Sequence, residues 1–357
     1  LLVIFIGLEI MSISSYILVG MKRKVARANE AALKYLLLGA FSTGFLLYGI
    51  SLLYGATGST LLPTIISEIQ QNGSGNPLVI VGMALVVVAM SFKIAIVPFH
   101  MWTPDVYTGA PTPVTGFLSG AAKAAGFAVF IRVLMTGIPL EGANWENILW
   151  LLAVLTMTVG NVMALRQNEV KRMLAYSSIA HAGYVLVAVV VGSTSAISGV
   201  IFYSCAYALM GTGAFGILTI RDAGRIPRTF DDLAGYGKRN PTLALLMSLF
   251  VFSLVGLPLT GGFIGKFQIF SAALQEGWIW LTVIAILNSA LSVYYYLRVV
   301  MFMYMREGAL PVGSVVSNNT SGFAMTGLLV TALAVLYLGV FPDSILELAS
   351  LSILALL

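Results

Sequence analysis

The stretch LALLMSLFVFSLVGLPLTGGFIGKFQIFSAAL, residues 243–274, decides the class of fold. It is apolar over most of its length and exceeds the roughly 20 residues that one helix needs to cross a bilayer. Gly256, Pro258, Gly261 and Gly262 interrupt it. We predict two half-helices joined by unwound backbone, which is tolerated at membrane depth only where it is buried in protein or lines a cavity.

The whole chain shares this apolar character. Of its 357 residues, 59% are hydrophobic and 9% are charged, and the mean hydropathy is +0.96. Soluble proteins have about a quarter of their residues charged, so a water-soluble fold is excluded. With 19 Lys and Arg against 14 Asp and Glu, the formal charge of +5 indicates membrane orientation rather than nucleic-acid binding. We expect the lipid bilayer, and no nucleic acid, as a partner.

The chain has one cysteine, Cys205, and two histidines, His100 and His181. These are too few soft ligands for a zinc, iron–sulfur or bis-histidine haem site. Most redox chemistry is thereby excluded, and we expect no metal or cofactor in this chain.

Ten segments have the length and composition of membrane helices. They are 1–20, 34–55, 79–99, 113–136, 148–166, 173–193, 196–220, 243–274, 278–305 and 322–341. We therefore predict an all-α polytopic membrane protein, with the eighth helix broken. The tail Ser344–Leu357 is predicted as an amphipathic surface helix or an incomplete span. The apolar start at Leu1, interrupted by Glu9, predicts a fragment rather than a signal peptide.

Lysine and arginine are segregated into alternate loops between these spans, as the positive-inside rule expects. The basic loops contain Lys22, Arg23, Lys24, Arg27, Arg166, Lys171, Arg172, Arg221, Arg225, Arg228, Lys238, Arg239 and Arg306. The loops around 56–78, 137–147, 192–196 and 275–277 contain none. One missed span would scramble this alternation, so it supports the count of ten. We expect the basic loops to face the cytoplasm.

Two short matches at one constant offset indicate an internal repeat. YILV at 16–19 resembles YVLV at 184–187, and KY at 34–35 corresponds to FY at 202–203. An odd number of predicted spans separates the copies, so they cross the membrane in opposite senses, as in the inverted repeats of secondary transporters. We predict inverted five-helix repeats: a first half-channel over 1–136, a second over 148–305, and a C-terminal helix and tail over 306–357.

Four ionisable residues lie inside apolar segments: Glu9, Lys93, Lys123 and Lys266. An ionisable group there costs at least ~2.5–3.5 kcal/mol on insertion scales, so it needs partners, water or a function. Burial disfavours the charged form of a lysine and a nearby carboxylate favours it. A buried lysine whose partner changes can therefore load and release a proton. We favour a proton pathway, and static helix–helix salt bridges are the alternative.

Three further residues are candidates for a relay or modulatory role. His181 can relay protons because an imidazole titrates near neutral pH, and a hydrogen-bonded structural histidine is an equal alternative. Lys34 is either a second coupling cation or an anchor at the start of its predicted span. His100 lies in the loop that follows Lys93.

Three long motifs stand out in the sequence. They are FKIAIVPFHMWTPDVYTGAPTPV (92–114), which continues to Lys123, KRMLAYSSIAH (171–181) and GLPLTGGFIGKF (256–267). These motifs resemble the antiporter-like membrane subunits of respiratory complex I. Within that family, WTPDVY (102–107) and EAALKY (30–35) are similar to the branch called subunit N, or subunit 2. A lysine rather than a glutamate at position 266 argues against the sister branch, subunit M.

The resemblance implies a proton-translocating, non-redox membrane subunit of NADH:quinone oxidoreductase. NADH, FMN, the iron–sulfur clusters and a quinone such as ubiquinone are then expected in partner subunits. The expected neighbours are the antiporter-like subunit M and the small subunits K, J, A and H. The resemblance also implies a bacterial inner membrane and further spans before Leu1, so that the first repeat is incomplete at its N-terminus.

Matched residue by residue, the resemblance assigns roles to the buried charges. Glu9 and Lys93 match a paired glutamate and lysine, Lys123 a central lysine, and Lys266 a lysine at the exit side. His181 and Lys34 match relay or modulatory positions. The implied path runs from Lys93 to Lys123 and on to Lys266. The alternative is a free-standing or multisubunit Na⁺/proton antiporter, and a third interpretation is a structural or assembly subunit.

Overall fold

The computed structural model of the chain describes residues 1–72, 75–137, 145–221, 229–307 and 321–354. Two of the predicted loop cations, Arg225 and Arg228, lie outside the described residues. So do part of the predicted loop 137–147 and the last residues of the tail.

The described residues form a bundle of helices. In chain order these are α1 (Leu2–Val19), α2 (Ala26–Thr57), α3 (Leu62–Asn72), α4 (Pro77–Ile94), α5 (Trp102–Gly109), α6 (Thr112–Phe117), α7 (Lys123–Gly137), α8 (Trp145–Leu165), α9 (Val170–Val191), α10 (Thr194–Arg221), α11 (Tyr236–Arg239), α12 (Pro241–Val255), α13 (Gly261–Gln275), α14 (Ile279–Met305), α15 (Gly322–Val340) and α16 (Asp343–Leu354). A π-helical turn, Leu118–Ala122, joins α6 to α7, and a 3₁₀ turn, Phe230–Leu233, precedes α11.

The helices confirm an all-α membrane protein with a broken eighth span. Within the described ranges, nine helices are long and apolar enough to cross a membrane, with α6 and α7 counted as one through their π turn. The helix α12 is apolar but shorter, and α13 follows it after a break. The pair α12–α13 supplies the remaining crossing, which accounts for the ten predicted spans.

The break between α12 and α13 is built from backbone conformations that glycine favours. The chain leaves α12 at Gly256, whose φ of 90° lies in the left-handed region. The amides of Gly256 and Leu257 both donate to the Phe252 carbonyl, which closes the end of α12. The amide of Gly262, at the start of α13, donates to the Ser253 hydroxyl at 3.2 Å. The predicted unwound segment is therefore present and tied back to the helix before it.

A second break follows α4 and shortens the third predicted span. The prediction for 79–99 was wrong at its C-terminal end, because α4 ends at Ile94 and Ala95 takes a left-handed φ of 62°. The indole nitrogen of Trp102 then donates to the Phe92 carbonyl at 2.9 Å. The break thus places Lys93 in the last turn of α4. The break after α12 similarly places Lys266 near the start of α13.

The centre of the bundle is α9. It contains polar as well as apolar residues and is buried on all sides. In its apolar segment 94% of the residues are buried, as expected of a helix enclosed by others. Close contact with α8 depends on glycine: a Cβ on Gly160 would lie 2.5 Å from the Ala180 amide nitrogen, and one on Gly183 would lie 2.6 Å from the Met157 nitrogen. The backbones of α8 and α9 therefore touch directly.

Three predicted helix starts were too late and left charged residues outside their helices. The fifth span was predicted from 148, but α8 begins at Trp145 and contains Glu146. The second span was predicted from residue 34, but α2 begins at Ala26, so Lys34 lies two turns inside it. The sixth was predicted from 173, but α9 begins at Val170. Lys171, predicted in a loop, is buried and donates to the Ala110 carbonyl at 2.9 Å. The predictions placed these charged first turns in loops, because hydropathy detects only the apolar part of a helix.

Two short helices complete the described chain. The helix α3 lies in the predicted loop 56–78 and buries Ile65 and Ile69 against the bundle. In the tail, α16 packs on α10 with Ala349 and Ile353 buried. A single 12-residue helix is too short to span a bilayer. The division into half-channels at 1–136, 148–305 and 306–357 stays a prediction.

Replacing Gly160 with alanine is expected to destabilise the protein, because the added Cβ forces the backbones of α8 and α9 apart. Overpacking costs about 1–3 kcal/mol, against a gain of about 1 kcal/mol from removing a glycine inside a helix. Gly44→Ala is the matched control, because nothing lies within 4 Å of the Cβ position there. Thermal unfolding in detergent measures both variants. A Gly160→Ala melting temperature equal to that of Gly44→Ala would contradict the expectation.

Candidate functional site

The first part of the candidate site is an ion pair between α1 and α4. The Lys93 ammonium lies 3.6 Å from a Glu9 carboxylate oxygen and donates a hydrogen bond to the Ser12 hydroxyl at 2.6 Å. The Thr43 hydroxyl, on α2, donates to the same Glu9 oxygen at 2.6 Å. The Lys93 side chain is 5% exposed and that of Glu9 is 21% exposed. The two predicted residues are thus brought together, with hydroxyls completing their hydrogen bonds.

Lys123 lies deeper in the bundle and contacts no carboxylate among the described residues. Its ammonium donates to the Ser178 backbone carbonyl at 2.5 Å and to the Ser178 hydroxyl at 2.6 Å. The residue is 4% exposed. The π turn just before Lys123 marks a local rearrangement of the kind that recurs at functional sites. The partner of Lys123 is therefore the central helix α9.

His181 lies one turn further along α9 and is held by two tyrosines. Its Nδ1 is hydrogen-bonded to the Tyr203 hydroxyl, and its Nε2 lies 2.9 Å from the Tyr296 hydroxyl. His181 and Lys123 both line a cavity of about 10 Å³, a volume at the lower limit for one water molecule, about 10–15 Å³. His181 and Lys123 thus face one small cavity.

Lys266 closes the free end of α12. Its ammonium donates to the carbonyls of Leu254 and Val255 at 3.1 and 2.7 Å and to the Ser289 hydroxyl at 3.0 Å. The last carbonyls of a helix have no partner within it and carry its negative dipole end. The break in the eighth span therefore creates the binding site for the lysine that follows it. The Tyr184 ring lies beneath the ammonium at 5.0 Å.

Lys34 does not join the buried groups. Its ammonium pairs with Asp105 at 2.8 Å and with Glu30 at 2.7 Å, and its side chain is 44% exposed. Asp105 also pairs with Arg172 at 2.7 Å. These contacts form an ion-pair cluster at the surface where α2, α5 and α9 meet. The geometry favours the anchoring interpretation of Lys34.

Two groups near the first break lie outside the membrane-spanning segments. Burial lowers the pKa of the His100 imidazole, and no hydrogen bond among the described residues joins His100 to Lys93 or Lys123. Burial by itself would raise the pKa of the Asp105 carboxyl, but the ion pairs with Lys34 and Arg172 outweigh it and hold that pKa below its usual value. Asp105 is therefore ionised and holds two cations.

Sequence reasoning identified Glu9, Lys93, Lys123 and Lys266 but not what binds them, and it missed the buried Lys171. The partners that it missed are hydroxyls, namely Ser12, Ser178 and Ser289, and the tyrosines around His181. One signal was available, because Ser178 lies within the motif at 171–181 that also contains His181. The other partners lie far from the lysines in sequence, so no local pattern identifies them.

Comparisons with known proteins give consistent matches. A family model described as NADH:quinone oxidoreductase/Mrp antiporter, transmembrane, matches residues 1–292. NADH-quinone oxidoreductase subunit N of Trichlorobacter lovleyi is 52% identical over 351 residues, which are 98% of this chain and 72% of that protein. Subunit N 1 of Solibacter usitatus is 46% identical over 354 residues, with coverages of 99% and 72%.

Solved structures match over nearly the whole chain. A chain of respiratory complex I from Thermus thermophilus with bound aureothin superposes with a TM-score of 0.81 at 37% identity, covering 96% of this chain and 74% of that one. A chain of the membrane-bound sulfane sulfur reductase, an archaeal respiratory membrane complex, superposes with a TM-score of 0.87 at 29% sequence identity. The match covers 97% of this chain and 69% of that one. The Mrp complex from Dietzia sp. DQ12-45-1b superposes with a TM-score of 0.85 at 22% sequence identity, covering 97% of this chain and 72% of that one. At this identity the match shows a shared fold alone.

Replacing Asp105 with asparagine is expected to lower thermal stability at neutral pH, because Lys34 and Arg172 lose their shared partner. The loss should exceed the about 0–1 kcal/mol typical of an exposed ion pair. Since the folded-state pKa lies below the ordinary 3.8, the stabilisation is present above that pH and disappears as pH falls through the folded-state pKa. The difference from wild type should therefore shrink in acid.

Melting temperatures across a pH series test this expectation. Glu30→Gln is the control, because Glu30 pairs with the same lysine but is 63% exposed. Equal losses in the two variants, or a difference that does not change with pH, would show that Asp105 is not the stabilising member of the cluster.

Proposed function

Because the chain belongs to the NADH:quinone oxidoreductase/Mrp antiporter family of membrane subunits, we propose that it is the proton-translocating subunit of an NADH:quinone oxidoreductase. In this proposal protons cross the membrane by way of its buried lysines. The proposal assigns no redox site to the chain itself. NADH, FMN, iron–sulfur clusters and quinone bind to partner subunits and supply the driving reaction.

One observation carries the proposal: two of the three lysines on the proposed path are bound by groups that suit both the charged and the neutral amine. A neutral Lys266 keeps two N–H donors for the Leu254 and Val255 carbonyls and accepts from the Ser289 hydroxyl. A neutral Lys123 keeps one donor for the Ser178 carbonyl and accepts from the Ser178 hydroxyl. A static salt bridge would place a carboxylate there instead.

Lys93 differs from these two because it has Glu9 beside it. The carboxylate favours the charged lysine, and a longer separation removes that support. The 3.6 Å separation is already longer than a close charge-assisted hydrogen bond, about 2.7–2.9 Å. We place the loading step at Lys93, the central site at Lys123 beside the cavity shared with His181, and release at Lys266.

The setting of the subunit follows from the same family. Its neighbours in this proposal are the antiporter-like subunit M and the small subunits K, J, A and H. The membrane is the bacterial inner membrane, with the basic loops in the cytoplasm as the positive-inside rule expects. The names of the relatives from Trichlorobacter lovleyi and Solibacter usitatus, each a subunit N of an NADH-quinone oxidoreductase, support a place in such a complex.

The second candidate is a free-standing or multisubunit Na⁺/proton antiporter. The description of the matching family model includes the Mrp antiporters, which is the observation in its favour. An antiporter exchanges Na⁺ for protons without NADH, whereas a complex I subunit moves protons only during NADH oxidation. Proton movement driven by a Na⁺ gradient alone, in vesicles without NADH, would establish the antiporter.

Replacing Lys123 with alanine is expected to abolish proton transfer through this subunit. A positioned acid–base group contributes about 100-fold or more. The measurement is proton uptake by inverted membrane vesicles together with NADH:quinone turnover, in the assembled complex. Ferricyanide reduction by NADH, which requires no proton movement, reports intact assembly. Lys238→Ala is the control, because that lysine is 78% exposed.

The same assay applies to Lys93→Ala and Glu9→Ala. Wild-type pumping in all three variants would overturn the proposal and revive the interpretation as a structural subunit.

Replacing Ser12 with alanine is expected to slow pumping without abolishing it, because Lys93 loses its 2.6 Å hydrogen bond but keeps Glu9. Such a bond contributes about 1.5–3 kcal/mol when one partner is charged. Ser14→Ala is the matched control, because the Ser14 hydroxyl is exposed and bonds to its own helix. Equal pumping by the two variants would show that Ser12 is dispensable.

A further inference from the structure

A second polar cluster lies between the His181 site and the Lys266 site. It consists of Asn161, Tyr184, Asn288 and Tyr295, and we call it the amide cluster. Asn161 is fully buried, the two tyrosines are 1% exposed and Asn288 is 8% exposed. Its members come from α8, α9 and α14. None of them contributed to the candidate path inferred from the sequence.

Asn161 is the centre of this cluster. Its Nδ2 lies 3.1 Å from the Tyr184 hydroxyl and 3.2 Å from the Asn288 side-chain oxygen, and its two hydrogens are shared among these two groups and the Met157 carbonyl. Its Oδ1 accepts from the Tyr295 hydroxyl at 2.9 Å. The single amide therefore lies between two tyrosines, with its donor toward one and its acceptor toward the other.

A backbone contact determines which way this amide points. Asn161 Nδ2 also donates to the Met157 carbonyl, one turn earlier on α8, at 2.9 Å. A carbonyl can only accept, so the reversed amide would place two acceptors against each other. The orientation follows from this network rather than from the shape of the side chain. Tyr295 must then donate to Asn161, while the Tyr184 hydroxyl faces an amide nitrogen that cannot accept, so its own proton is free to be donated elsewhere.

The two ends of the cluster reach the two sites. At one end, Tyr184 lies under the Lys266 ammonium at 5.0 Å and contacts Ser289, which accepts from Lys266 at 3.0 Å. At the other end, the Tyr295 ring packs on that of Tyr296 at 4.5 Å between centroids. The Tyr296 hydroxyl in turn lies 2.9 Å from His181 Nε2. Side chains therefore connect His181 to Lys266 without a gap.

The close contact between α8 and α9 does not require this cluster. The backbones of α8 and α9 already touch through Gly160 and Gly183. A buried polar network is costly unless every member is satisfied, and apolar side chains of similar size fill such space more cheaply. A complete network at this place, between two proton-binding sites, indicates a role in the transfer.

We propose that Asn161 is a positioning residue for the exit half of the proton path, orienting the Tyr184 and Tyr295 hydroxyls between His181 and Lys266. The inference rests on the proposed function. The amide carries no proton itself. It sets the direction of the hydroxyl protons, so that Tyr184 donates toward Ser289 and Lys266 while Tyr295 remains aligned with Tyr296.

The test compares Asn161→Leu with wild type in the assembled complex. We expect pumping to fall to a degree comparable with Lys266→Ala, with ferricyanide reduction unchanged. The ratio of turnover in H₂O to turnover in D₂O should rise, because proton transfer becomes rate-limiting. A packing defect would lower thermal stability and leave this ratio unchanged. Ser248→Ala is the control for loss of a buried polar group, since its hydroxyl bonds to its own helix.

A double-mutant cycle identifies the partner of Asn161. Tyr295→Phe removes one hydroxyl and should also raise the isotope ratio. If Asn161 acts by orienting Tyr295, the double variant is no worse than Asn161→Leu alone. If Asn161→Leu does not assemble, Tyr295→Phe decides: an unchanged isotope ratio in that variant overturns the inference.

The outcomes separate the two proposals. Reduced pumping in Lys266→Ala with wild-type pumping and isotope ratio in Asn161→Leu overturns the role of Asn161 and leaves the proposed function standing. Wild-type pumping in Lys123→Ala and Lys266→Ala overturns the proposed function, and the inference with it.

Discussion

The cost of holding an ammonium inside a membrane is the constraint on which the rest of the structure depends. An intact helix offers few groups to a cation, because its carbonyls already accept bonds from its own amides, although Lys123 does share the Ser178 carbonyl of α9. An interrupted helix meets the constraint for Lys266, because α12 ends at Val255 and its last carbonyls bind the ammonium. Side chains from α1 meet it for Lys93. The break at Gly256 is therefore part of the Lys266 site.

The central helix α9 joins these sites into one system. Its Ser178 holds Lys123, its His181 faces the same cavity, and its Tyr184 lies under Lys266. At its first turn, Arg172 pairs with Asp105 on α5, the short helix after the first break. A displacement of α9 would alter several of these contacts together. The close backbone contact with α8 explains how such a polar helix is held rigidly in the bundle.

Much of the fold and part of the site could be predicted from the sequence. The ten crossings, the break after Gly256 and the four charges of the candidate path all depend on local composition, which hydropathy and glycine placement report. Helix ends with charged first turns were misjudged because hydropathy ignores capping and tertiary support. The hydroxyl partners could not be predicted, because the Lys93 bond to Ser12 and the Lys123 bond to Ser178 span 81 and 55 positions. Such pairs are set by how helices pack.

The nature of the lysine partners also determines how the site responds to mutation over time. Lys266 is held mainly by two backbone carbonyls, and no single-residue exchange can delete a carbonyl from the chain. Lys93 depends on the side chains of Glu9 and Ser12, and a single amino-acid substitution can remove either one. Genetic drift can therefore erode the Lys93 site one residue at a time. The Lys266 site is buffered against such loss as long as the break that exposes its carbonyls persists.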